Sequence, residues 1–136
     1  MVQPDASDLT TPFGRARAPP DAATSLGGTA ALAEGIRLFN AGQHWHAHEA
    51  WEHLWLGLEG DDKRFVQGLI MAAAMLVQHA KGIRPGVASH FRNATVRLAP
   101  HGPRHWGIDV EDLLRQLAPY LEDTSKDAAL VQIHRR

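Results

Sequence analysis

Apolar side chains recur every third or fourth residue along most of this chain and nowhere alternate with period two over a useful length. Helices repeat every 3.6 residues and strands every two, so this pattern restricts the chain to a helical fold without strands. Leu32, Ile36 and Phe39 form one stripe of a first helix starting near Thr29; it stops at Asn40-Ala41-Gly42, where Gly42 can close it in the left-handed conformation. A second helix is expected from about Gln43 to Leu58, and a third from about Lys63 to Lys81, stopping at Gly82. Pro85 suits the first turn of a fourth helix, striped by Val87, Phe91, Ala94 and Leu98. Pro100, Gly102 and Pro103 then break the chain. Asp109 can cap a fifth helix buried through Val110, Leu113, Leu114, Leu117 and Leu121. Short connections favour antiparallel neighbours. The expected fold is all-α: a compact array of about five antiparallel helices, two helical hairpins plus a C-terminal helix. Gly35, Gly42, Gly68 and Gly82 read as packing or cap glycines.

The length suits one domain. Residues 1–28 carry four prolines and few large apolar side chains, too little to offset the entropy of ordering, and read as a flexible N-terminal arm. Residues 29–122 form the helical domain and 123–136 a C-terminal tail; Trp106 is expected at the surface, and the final ALVQIHRR to pack on the domain or on a second subunit. The absence of cysteine excludes disulfides, thiol nucleophiles and iron–sulfur ligation, so any metal site must use nitrogen and oxygen ligands. The longest apolar run, Leu69 to Val77, is about half a membrane span and reads as a buried helix. The N-terminus has acids and prolines where a secretory signal would be basic and then apolar. A cytoplasmic protein with no membrane role is expected.

The net charge of −1 conceals a segregation. From His44 to Asp62 there are five acids and no Lys or Arg; from Lys63 to His105 there are seven bases and no acid. Such runs serve as solvated faces that attract one another within the fold or across a homodimer, or as a basic face, here Arg84, Arg92 and Arg97, for a protein or nucleic-acid partner. Nucleic acid is the disfavoured partner.

The densest chemistry lies in residues 44–55, HWHAHEAWEHLW. On a helix, His44, His48, Glu52 and Trp55 fall along one side, flanked by Trp45 and Trp51, so a partly buried polar centre is expected. Three readings compete. In the first, His48 and Glu52 hold a divalent ion such as zinc, manganese or iron, with Glu49 in the place of the zincin general base. The third ligand is then His79, or failing that His90; His44 diverges from the other two along the helix and stays in the surrounding shell. In the second, Glu49 or Glu52 is a general base oriented by His48, without metal. In the third, these groups form a structural network with Gln67, Gln78 and indole N–H groups. No seryl nucleophile elbow, phosphate loop or dinucleotide fingerprint directs the choice, and the Glu-x-x-His of di-iron bundles does not occur.

FNAGQHWHAHEAWEHLW, followed by RFVQGLIMAAAMLVQH and GVASHFRNATVRLAP, resembles the small all-helical family called domain of unknown function 309, over roughly residues 30–121. Position by position, the resemblance implies a shared polar centre at Asn40, His48, Glu49, Glu52, Trp55 and Gln67. Met71 stands where members often carry a second glutamine after Gln67-Gly68-Leu69-Ile70, and the histidines at 44, 46 and 53 are peculiar to this chain. The resemblance implies a compact helical fold but no activity. A histidine flanked by acids favours a divalent-metal protein, with a metal-dependent hydrolase as the expected activity; the competing expectation is a non-enzymatic helical interaction module.

Overall fold

The computed structural model describes residues 25–135. Five helices pack together: α1 Ser25–Asn40, α2 His44–Leu56, α3 Gly60–Lys81, α4 Arg84–Leu98 and α5 Val110–Leu117. The expected all-α fold is the observed one. The N-terminal arm lies outside the described residues except for Ser25 to Gly28, which belong to α1.

Two glycines set the first and third helix ends. Gly42 and Gly82 adopt φ of 82° and 74°. In each case the glycine N–H returns to the carbonyl three residues back and the next N–H to the carbonyl five back: Phe39 and Leu38, then His79 and Gln78. This double closure satisfies carbonyls a helix end would otherwise strand, at little backbone cost only for glycine. Two other glycines let helices approach. A Cβ at Gly35 would enter the Trp51 indole, and one at Gly68 would lie 2.6 Å from Leu98 Cγ, so α1 meets α2 and α3 meets α4 at these points.

α3 is the central element, flanked by α2 and α4, with α1 on α2. Trp51, Phe39, Phe65, Leu69, Met75 and Leu76 fill the core, each large apolar side chain contributing about 1.5–3 kcal/mol of burial. Trp51 also donates its indole N–H to the Leu32 carbonyl at 3.3 Å. Asp109 caps α5 as expected, accepting from the Asp112 N–H at 3.0 Å.

Three expectations need correction. Strands do occur: Arg104–His105 pairs with Ile108–Asp109 in a two-stranded antiparallel hairpin. Its loop is Trp106-Gly107, with φ of 52° and 78°. A two-residue hairpin loop of this kind needs positive φ at both positions, and each strand is too short to leave a period-two signature. Trp106 is buried, at 7% exposure, because the turn places it edge-on to Phe65 at 5.3 Å. The C-terminal tail is no tail: Val131 and Ile133 are core residues, at 1% and 3% exposure. The segment packs on its own domain.

Candidate functional site

The buried stripe of α2 is His44, Ala47, Trp51 and Leu54, continued by Leu58. It is rotated by roughly 80–90° from the face expected to hold the polar centre. The cause is energetic. Burying a carboxylate without a matched partner costs several kcal/mol, whereas Trp51, Ala47 and Leu54 gain by leaving water. Glu49 and Glu52 therefore point outward, each with a side chain 55% exposed. Glu49 Oε1 lies 3.5 Å from His46 Nδ1, and Glu52 Oε1 lies 3.9 Å from His48 Nδ1. His48 and Trp55 sit at the boundary between core and solvent. Trp45 stacks on His48 at 5.0 Å with an 11° tilt, and Lys63 Nζ stands 4.2 Å above the Trp55 ring. Of the expected buried His48/Glu49/Glu52 centre, the two carboxylates thus lie at the surface, while the His48 side chain is only 15% exposed. Gln67 is half-buried on α3 and, among the described residues, makes no hydrogen bond to His48, Glu49 or Glu52.

His44 is the α2 histidine that enters the core, edge-on to Phe39 at 4.9 Å. Its Nε2 has no hydrogen-bond partner among the described residues. Burial pushes its pKa down to about 4, against a small opposing pull from Asp127. It is neutral near pH 7.

His79 is committed elsewhere. Its Nε2 lies 2.6 Å from the Lys126 carbonyl, and its Nδ1 lies 3.1 Å from Arg84 Nη1. A carbonyl can only accept and a guanidinium can only donate, which fixes the tautomer with the proton on Nε2 and the Nδ1 lone pair on Arg84. Neither nitrogen is left for a metal. The second candidate, His90, has Nδ1 2.8 Å from the Gly86 carbonyl, one turn back on α4. Among the described residues no group of three His, Asp or Glu side chains could hold a metal ion. Among the described residues His48 and Glu52 stand as a pair without a third ligand.

The expected basic face also divides. Arg84 Nη2 donates to the Tyr120 and Leu121 carbonyls at 2.6 and 3.2 Å. Arg97 bonds back to Asn93, and Arg92 is exposed. Arg84 is a structural clamp.

Asn40 has the most specific role of the expected polar centre. Its Nδ2 donates to the Ile133 carbonyl at 3.0 Å, and its Oδ1 accepts the Ile133 N–H at 2.7 Å. Gln116 treats the preceding residue alike: Nε2 donates to the Gln132 carbonyl at 2.8 Å and Oε1 accepts the Gln132 N–H at 2.9 Å. Tyr120 donates its hydroxyl to the Asp127 carbonyl at 2.6 Å. Together with His79 and Arg84 these side chains form a clasp over residues 120–133. Sequence reasoning missed Gln116, Tyr120 and Gln132. The available signal was Val131-Gln132-Ile133, an apolar-polar-apolar alternation that suits an extended segment with one face buried.

A second histidine cluster also went unseen. His101 Nε2 lies 3.1 Å from Asp61 Oδ2 and its Nδ1 3.0 Å from the Arg97 carbonyl. His101, His105 and Trp106 ring Phe65 at 4.5–5.3 Å, joining the start of α3 to the hairpin.

Residues 32–89 match the family model described as domain of unknown function (DUF309). Over those residues, fewer than half of the chain, the sequence is similar to that family. No curated protein matches the sequence. The matched residues include Asn40, the whole histidine helix, His79 and Arg84, whereas α5 and the segment held by the clasp lie beyond them. No helix among the described residues is long and apolar enough to cross a membrane.

Proposed function

We propose that this protein is a helical interaction module, and that the outer face of α2 receives a partner protein segment carrying both apolar and basic side chains. One observation carries the reading: Trp45 and Leu56 are 54% and 68% exposed, and at 100° per residue they share one face of α2 with Glu49 and Glu52 between them. Among the described residues their carboxylates pair with histidines of their own helix. A large exposed indole, already held flat against His48, gives an anchor that loses little side-chain freedom on binding. The two carboxylates supply charge selection for Lys or Arg on the partner.

The test is a photo-crosslinker placed at Leu56, the adduct identified by mass and then titrated as a purified pair. Trp45→Ala and Glu49→Lys/Glu52→Lys should each weaken that pair at least tenfold with unchanged helicity. An adduct whose affinity ignores all three changes sinks the reading.

The metal reading rests on one observation, the unpartnered His48 Nδ1 one turn from Glu52. Two protein ligands would leave water or a partner to complete the shell, and Glu49, paired with His46, would be the hydrolytic base. Elemental analysis of untagged protein beside His48→Ala tests it: metal present near one per chain and lost in the variant supports a site; equal, trace metal in both removes it.

A further inference from the structure

The clasp recognises main chain. Asn40 and Gln116 each bind both the N–H and the carbonyl of a single residue, Ile133 and Gln132. His79 and Tyr120 bind the carbonyls of Lys126 and Asp127. The Asp109 N–H donates to the His134 carbonyl at 2.9 Å, and Ile108 makes an antiparallel bridge with Arg135. From the other side, Gln132 Nε2 donates to the Asn40 carbonyl at 2.9 Å, and the exposed His134 Nδ1 lies 3.0 Å from Asp112. Among the apolar side chains, Val131 and Ile133 alternate into the core and Ala128 packs against it, while Leu130 stays 61% exposed. This is how an extended peptide is bound by an adjacent strand or groove: backbone bonds supply affinity and alternate side chains the register.

The segment reaches this receptor through residues 122–125, all exposed. The N–H groups of Glu122 and Asp123 turn back to the Pro119 carbonyl, and Ser125 bonds only to Asp123. Nothing described ties this hinge to the helical body. Both its ends are held by one pair of residues, since Arg84 holds Leu121 and hydrogen-bonds His79, which holds Lys126.

We infer that the surface formed by Asn40, His79, Gln116 and Tyr120 is a receptor for an extended strap, and that a second copy of this chain can supply residues 126–135 in place of the chain's own. Every bond above is the same whichever copy donates the strap, so the exchange costs no contacts and is governed by the hinge and by concentration. A short flexible hinge holds its own strap at an effective concentration on the order of millimolar, and a second copy competes only when protein concentration approaches that value. Shortening the hinge shifts the balance toward exchange. Loss of Asn40 weakens the strap in either arrangement, so it accelerates exchange rather than changing its end point.

The chain has no cysteine, which permits a clean test. A Cβ at Gly42 would lie 3.2 Å from Ala129 Cβ. Full-length Gly42→Cys and Ala129→Cys chains are mixed near millimolar concentration, oxidised and run without reducing agent, beside the double variant, which reports closure within one chain and, with its helicity, whether Gly42→Cys folds at that position's φ of 82°. Sedimentation velocity of the cysteine-free chain, and of a chain lacking Thr124 and Ser125, runs in parallel. The expected result is a disulfide-linked heterodimer forming at least tenfold faster when both chains also carry Asn40→Ala, unaffected by Glu34→Ala, and a larger dimer fraction in the shortened chain. A monomer at every concentration, or a dimer whose mixed chains do not cross-link, overturns the inference. A dimer lost in Trp45→Ala but indifferent to the hinge would assign self-association to α2 instead.

Discussion

The histidine helix and the C-terminal clasp use similar side chains to opposite ends. On α2 the carboxylates are more than half exposed and meet histidines at 3.5 and 3.9 Å, beyond the range of a strong charge-assisted bond. In the clasp, Asn40, His79, Arg84 and Tyr120 reach main-chain atoms at 2.6–3.2 Å from half-buried or buried positions. The difference follows from desolvation. A carboxylate entering the core must bring a partner worth its hydration, and none is offered; an amide entering it finds one donor and one acceptor on any extended residue. Density of polar residue types marks a surface here, and the sparse amides mark the structural commitment.

Asn40→Ala is the change that strains this contrast most. It strands the N–H and carbonyl of Ile133 beneath the strap, at a cost of about 3 kcal/mol; denaturant unfolding should show it, and a loss below ~1 kcal/mol would return the C-terminal segment to the status of a loose tail. Acid comes next, through His44. With its pKa lowered to about 4 by burial, the unfolded chain takes up a proton between about pH 6.5 and 4 that the folded chain refuses. Stability should fall as pH falls through that window, by about 3 kcal/mol from this residue, and level off below it. The measurement is unfolding free energy against pH for wild type and His44→Gln. Identical slopes would mean that His44 is not buried neutral. The smallest effect belongs to α2: Glu49→Ala and Glu52→Ala should each stay within ~0.5 kcal/mol, as exposed pairs do, and a loss above ~2 kcal/mol in either would put the polar centre back inside the fold.

Helix order, the glycine closures at Gly42 and Gly82, and the Asp109 cap were legible because they depend on neighbours in sequence. The orientation of α2 was not. Trp45, Trp51 and Trp55 are alike in sequence, and only packing against α1 and α3 selects Trp51 for the core and leaves Trp45 on the surface. The resemblance to the family pointed to Asn40 as a polar position, but its partner is Ile133, far along the chain, and no local pattern announces a bond at that separation. His79 was a reasonable third ligand by type. What removed it was the pairing of its two nitrogens with Lys126 and Arg84.

The most direct test is amide hydrogen exchange in the unaltered protein, read at Gln132 and Ile133. Their N–H groups donate to Gln116 and Asn40, so both amides should exchange within roughly tenfold of the rate of a core amide such as Leu69. Exchange at the rate of an unstructured chain end would contradict the clasp, and with it the contrast between the two regions.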